Sequence, residues 1–160
     1  MRSRLIVILF LLVFPINAFA QDIEGLEYQA TRDEILSRFG NPIRYSSMEL
    51  DDGPWQPLPV VRHDYHYDGM EIVVIEGQNI IDNCTVTSKN YRVLTKYLKG
   101  GIRVGETEND MLNKLSGLEM ACPFRKMGNA YYFWLKYEDI PVEFHIKNGV
   151  ICKITISTEC

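Results

Sequence analysis

Three histidines, two tryptophans and four cysteines are the residues of this chain with the most chemistry to offer. Asp64, His66 and Asp68 recur at every second position, which sets three possible metal ligands on one side of an extended strand. Neighbours two apart on a strand are separated by about 7 Å, and a coordination shell would need further ligands from another element. The ladder therefore reads as a run of solvent-side polar residues, with no metal assigned. Asp64 and Glu143 form the kind of carboxylate pair that hydrolysis uses, but any small sheet offers two acids. No nucleophile elbow, phosphate-binding glycine loop or spaced metal motif accompanies them, and His63, His66 and His145 have no serine placed to pair with them. The expectation is a protein that binds rather than catalyses, without a cofactor. A small hydrolase or ligand-binding protein using His66 and His145 is the competing reading.

Cys84, Cys122, Cys152 and Cys160 make an even count without a C-x-x-C pair. In an oxidising compartment that pattern predicts two disulfides, and three pairings stay open. A nucleophilic cysteine beside His145 is the sharper alternative, and oxidation on export counts against it.

The compartment follows from the first residues. Arg2 and Arg4 precede an apolar run from Leu5 to Phe14, Pro15 and Asn17 break it, and Ala18-Phe19-Ala20 is a small-x-small cleavage site. Residues 1–20 are read as a secretory signal peptide, the apolar run being too short for a lasting membrane span. No cysteine follows the cleavage site, so a lipid anchor is not expected. Removing the two arginines takes the formal charge from −4 to −6, which disfavours nucleic acid as a partner. The expected product is periplasmic or secreted, mildly acidic and free of a stable membrane anchor.

The elements that must position these residues are written in the order helix, loop, strands, twice over. Thr31-Arg32-Asp33-Glu34 opens a capped helix with Ile35, Leu36 and Phe39 on its apolar stripe, and Gly40-Asn41-Pro42 stops it. A breaker-rich loop from Asp51 to Pro59 holds Trp55, either a plug on the core or an aromatic anchor for a partner. Val60 to Tyr67, Met70 to Ile75 and Ile80 to Ser88 read as strands. Lys89 to Lys99 is basic, with Tyr91, Leu94 and Leu98 near helical spacing, and predicts a connecting helix. Thr107-Glu108-Asn109-Asp110 begins a second capped helix that ends at Ser116-Gly117. Tyr131 to Ser157 then reads as a three-stranded meander turning at Glu138-Asp139 and at Lys147-Asn148-Gly149.

Laid on itself, the chain matches Thr31, Ile35, Leu36 and Phe39 to Thr107, Met111, Leu112 and Leu115 at an offset of 76. At an offset of 70, Tyr67, Met70, Ile72 and Val74 fall on Tyr137, Ile140, Val142 and Phe144. The expected organisation is a signal peptide over 1–20, one repeat over 21–99 and a second over 100–160. The fold class expected is α+β, two tandem helix-plus-antiparallel-meander repeats sharing a curved sheet with the helices on one face.

Ile102-Arg103-Val104-Gly105-Glu106-Thr107 with Asp110 to Leu115, and Thr31 to Pro42 in the first copy, resemble the motif of the β-lactamase inhibitor protein superfamily, which includes the SmpA/OmlA lipoproteins of the outer-membrane β-barrel assembly machinery. The resemblance implies a sheet whose helix-free, concave face grips another protein. Strand alternation separates the faces independently. Val142, Phe144, Cys152, Ile154 and Ile156 are assigned to the core side. The other side is assigned Trp134, Lys136, Glu143 and His145, with Asp64, His66, Val73 and Ile75 from the first copy. With Trp55, these are the expected partner-binding residues. The function expected is an inhibitor or immunity-type module that binds an enzyme or effector. An accessory of envelope or outer-membrane assembly is the alternative.

Overall fold

A computed structural model describes residues 22–27, 30–50, 60–76, 80–119, 124–134 and 141–157. The signal-peptide stretch, Trp55, Lys136, Cys122, Cys160 and the turn at Glu138-Asp139 lie outside the described residues.

The first described elements are β1 (Asp22–Ile23) and β2 (Leu26–Glu27), followed by α1 (Arg32–Phe39). Strands β3 (Arg44–Leu50), β4 (Val60–Tyr67), β5 (Met70–Ile75) and β6 (Ile80–Val86) come next, then β7 (Arg92–Val93) and β8 (Ile102–Arg103). Helix α2 (Glu108–Leu115) precedes β9 (Arg125–Met127), β10 (Ala130–Phe133), β11 (Val142–Lys147) and β12 (Val150–Ser157).

Both helices start where the sequence caps them. Thr31 Oγ1 accepts from Glu34 N at 3.3 Å and Glu34 Oε2 accepts from Thr31 N at 2.8 Å, a reciprocal capping box. Thr107 caps α2 by accepting from Asp110 N at 3.1 Å. Each helix runs only eight residues, about two turns, and is held by tertiary packing rather than by its own propensity. Ile35 from α1 and Met111 and Leu115 from α2 are buried against the sheet in one apolar cluster with Tyr65, Ile72, Val74, Phe133, Phe144 and Ile154.

The expected α+β class of two helix-plus-meander repeats is overturned. The protein is mostly β. Among the described residues, a single antiparallel sheet of eight strands has the order β3-β4-β5-β6-β12-β11-β10-β9, and a second, smaller sheet has the order β2-β1-β7-β8. The large sheet is continuous because β6 pairs with β12, Val86 opposite Ile154 and Cys84 opposite Ile156.

Lys89 to Lys99 is not a helix. Leu94 takes φ 59°, which ends any right-handed helical path, and its N–H donates to Asp22 O at 2.9 Å. The Asp22 carboxylate then accepts from Thr95 N at 3.0 Å, Lys96 N at 2.6 Å and Gly25 N at 2.9 Å, as well as from the Thr95 hydroxyl. Asp22 is fully buried, so these donors offset the cost of taking its charge out of water. Spacing alone predicts a helix there; a buried carboxylate 73 residues away in sequence takes the amides instead.

A second correction concerns Cys152. In the β11–β12 hairpin His145 pairs with Lys153 but Ile146 pairs with Ile151, so Cys152 is the extra residue of a bulge. Ile151 takes the core position and is 1% exposed, while Cys152 is exposed. The hairpin's turn is the one Asn-Gly predicts: Asn148 and Gly149 have φ 54° and 75°, the left-handed pair that matches strand twist.

Candidate binding face of the sheet

Alternation puts one set of side chains on the helix side and the other on the opposite face. Val142, Phe144, Ile154 and Ile156 are buried in the cluster under the helices. Val73 and Ala130 are buried too, at 2% and 7% exposure, but stand outside that cluster, on the face turned from the helices.

Strand register assembles a polar row across that face from edge to edge. Arg44 lies opposite His66, His66 opposite Glu71, Glu71 opposite Thr85 and Thr85 opposite Thr155. Thr155 lies opposite Glu143, Glu143 opposite Tyr132 and Tyr132 opposite Arg125. A parallel row carries Ser46, Asp64, Val73, Asn83 and Ser157.

On the first half of the face the charges are mutually engaged. Arg44 Nη2 lies 3.1 Å from His66 Nε2, and His66 Nδ1 lies 3.7 Å from Glu71 Oε2. Asp64 Oδ1 accepts from Arg62 Nε at 2.9 Å, an arrangement that holds the Arg62 guanidinium above its ordinary range. The Asp64, His66 and Asp68 ladder therefore does not converge; among the described residues no three acidic, histidine or cysteine groups come together as metal ligands. Ile75, the other aliphatic residue expected here, is half-buried beside Arg62 in the register. A shallow hollow of about 220 Å³ opens between His66, Glu71, Thr85 and Thr87.

The second half is aromatic and less fully satisfied. Trp134 and Tyr132 stack with ring centres 6.2 Å apart. Hydrogen bonding to Glu143 holds the Tyr132 phenol above its usual range. His145 Nε2 lies 3.0 Å from Glu143 Oε1 but is misaligned for a hydrogen bond, so this buried nitrogen has none. Thr155 Oγ1 is likewise buried without a partner. A groove of about 540 Å³ runs along this half, lined by Arg125, Met127, Tyr132, Trp134, Pro141, Glu143, Thr155 and Ser157.

Trp134, Glu143 and His145 are thus brought together, while Asp64, His66, Val73 and Ile75 occupy the other half of the same face. Lys136 and Trp55 lie outside the described residues. Sequence reasoning missed Tyr132, although its spacing of two from Trp134 carries the signal. It also missed Arg125, whose three-residue strand β9 has no periodicity to detect. His63 lies on the helix side, between Tyr45 OH at 2.7 Å and Glu76 Oε2 at 3.1 Å.

Cys84 and Cys152 are free thiols, the first buried and the second exposed. Burial pushes the Cys84 thiol well above its ordinary range. The expected pair of disulfides is not formed by these two residues, and Cys122 and Cys160 fall outside the described residues. No helix among the described residues is long and apolar enough to cross a membrane. No known protein family, curated protein or solved structure matches this chain.

Proposed function

We propose that this is an exported protein-binding module, an inhibitor or immunity-type protein that caps an enzyme or effector with the sheet face turned from its helices. The observation that carries the reading is the second half of that face. There Trp134 and Tyr132 stand stacked beside Pro141 and Met127 over a polar row, at an aromatic concentration that a merely solvated sheet face does not need. Aromatic anchors ringed by polar groups are the usual composition of a protein-binding hot spot. The signal-peptide pattern and the resemblance to the inhibitor superfamily support the same reading, with the periplasm or the exterior as the place of action.

Affinity capture from a periplasmic extract tests it, followed by reconstitution with the purified partner. Trp134→Ala is expected to weaken that binary complex by about 2 kcal/mol or more, the range of an aromatic hot spot. Asn113→Ala, on the exposed side of helix α2 and so on the opposite side of the molecule from this face, is expected to leave it unchanged. Equal recovery and equal affinity for the wild type and Trp134→Ala would show that the partner docks elsewhere.

A further inference from the structure

We propose that β3 pairs edge to edge with β3 of a second copy of this chain, about a twofold axis at Ser47, so that the two large sheets run on into one. This goes beyond the protein-binding reading and does not depend on it. Among the described residues β3 is the outermost strand of its sheet, with no strand on its outer side. It keeps unbroken register with β4 over seven residues, without a proline, a lysine or a bulge to blunt the edge. The opposite edge, β9, has three residues and carries Arg125 and Lys126. Ile43, Tyr45 and Met48, on or beside β3, are half of the large apolar side chains exposed among the described residues.

The groups this edge offers follow from the ladder. Glu76 N donates to Val61 O and Ile43 N donates to His66 O, both at 2.8 Å. Alternate residues of an antiparallel strand turn their backbone groups to opposite sides. The odd-numbered residues of β4 therefore serve β5 and the even-numbered ones serve β3, where they engage Arg44, Ser46, Met48 and Leu50. That leaves the N–H and C=O groups of Tyr45, Ser47 and Glu49 pointing outward.

A second copy is the occupant because this row complements itself. A twofold axis normal to the sheet keeps the helix sides of both copies together, so odd residues meet odd and even meet even. Only with Ser47 opposite its own counterpart do all three outward residues find one another: Tyr45 meets the second copy's Glu49, Glu49 meets its Tyr45, and each pair exchanges two hydrogen bonds. The residue on the axis is then small and uncharged, and no like charges stand opposite each other. Arg32 Cζ lies over the Tyr45 ring, 5.4 Å from its centre, so a Glu49 carboxylate arriving opposite Tyr45 comes beside a guanidinium. On the other face Met48 lies diagonal to its counterpart, within reach for a long side chain.

Sedimentation equilibrium of the purified protein, from micromolar to millimolar concentration, tests the proposal. A monomer–dimer equilibrium is expected. Ser47→Pro deletes the central outward donor while sparing the β3–β4 ladder, a position where an edge strand tolerates proline, and is expected to leave a monomer. Glu49→Arg sets two guanidinium groups against each other and should raise the dimer Kd about tenfold or more, corresponding to about 1.4 kcal/mol. Combining it with Arg32→Glu restores opposite charges and should recover the dimer; both side chains are exposed, so this pair serves should Ser47→Pro fold poorly. Trp134→Ala, on the far half of the sheet, should leave the dimer intact. The proposal is overturned by a protein that sediments as a monomer throughout, by a dimer indifferent to Ser47→Pro and Glu49→Arg, by a double variant no tighter than Glu49→Arg alone, or by a dimer lost on Trp134→Ala. A partner captured through Trp134 by a strictly monomeric protein would leave the protein-binding reading standing and remove this one.

Discussion

Cys84 and Cys152 show how far a single residue's setting departs from its residue type. Cys84 is 0% exposed among apolar side chains, and that environment disfavours its thiolate. Cys152, displaced outward by the bulge, donates weakly to His145 O at 3.4 Å and meets solvent. Under native conditions iodoacetamide is therefore expected to modify Cys152 and spare Cys84, with Cys84 reacting only once denaturant opens the core. Mass-spectrometric mapping of the labelled peptides checks this. Native labelling of Cys84 at the rate of Cys152 would contradict its burial. Alternation assigns Cys152 to the core side because an unbroken strand leaves it no other place. A bulge adds one residue and inverts everything on its far side until pairing resumes, and nothing in Val-Ile-Cys-Lys marks where that happens. The face residues before the bulge, Glu143 and His145, were legible for the complementary reason: Val142, Phe144 and Ile146 alternate with them without interruption and all three are buried.

At the scale of the element, the helices were the most legible part and the short strands the least. Thr31 and Glu34 announce α1 by their spacing, and their reciprocal bonds are in place. Thr31→Ala is expected to destabilise the protein by about 1 kcal/mol in urea unfolding, the usual cost of losing a threonine cap. Hydrogen bonds from the Thr31 backbone, and then from its side chain, hold the Glu34 carboxyl below its ordinary value of 4.5. A group whose folded value is depressed contributes stability that is fully present above the ordinary value and is lost as pH falls through the folded one. The cap's share should thus be intact at neutral pH and fade only in the acid range beneath 4.5. Comparing wild type with Thr31→Ala across that range gives the measurement: a gap that stayed constant down to the acid limit would mean Glu34 does not act through the cap. By contrast β1, β2, β7 and β8 have two residues each, below the length at which alternation can be seen. They exist because Asp22 collects the amides of the 94–96 turn, Leu94 on its main-chain oxygen and Thr95 and Lys96 on its carboxylate, a long-range event without a local signature. The same cause converted the expected basic helix into strand and turn.

The molecule as a whole is organised by the seam between β6 and β12, which joins the strands of residues 44–86 to those of residues 125–157 in one sheet. Local pattern could supply the individual strands of each stretch. The repeat leads to the expectation of one shared sheet, but which strands meet at the seam has no local signature, because β6–β12 pairing is written in neither strand's own periodicity. The buried cluster crosses this seam: Ile72, Cys84 and Val86 on one side and Phe144, Ile154 and Ile156 on the other belong to one apolar body, together with Ile35, Met111 and Leu115 from the two helices. A shared core leaves neither stretch with a separate interior to retain when the other opens, so unfolding is expected to be a single cooperative event. Phe144→Ala probes this at a fully buried position in β11, two strands from β6. Loss of its ring should cost about 3 to 5 kcal/mol, the transfer term plus the cavity left behind. The loss should appear as one shifted transition in which far-ultraviolet circular dichroism and Tyr45-side probes, far across the sheet, move together. If Phe144→Ala instead split the curve, with signals from β3 to β5 persisting after β10 to β12 had melted, the two stretches would be separate folding units and the seam a docking contact between them.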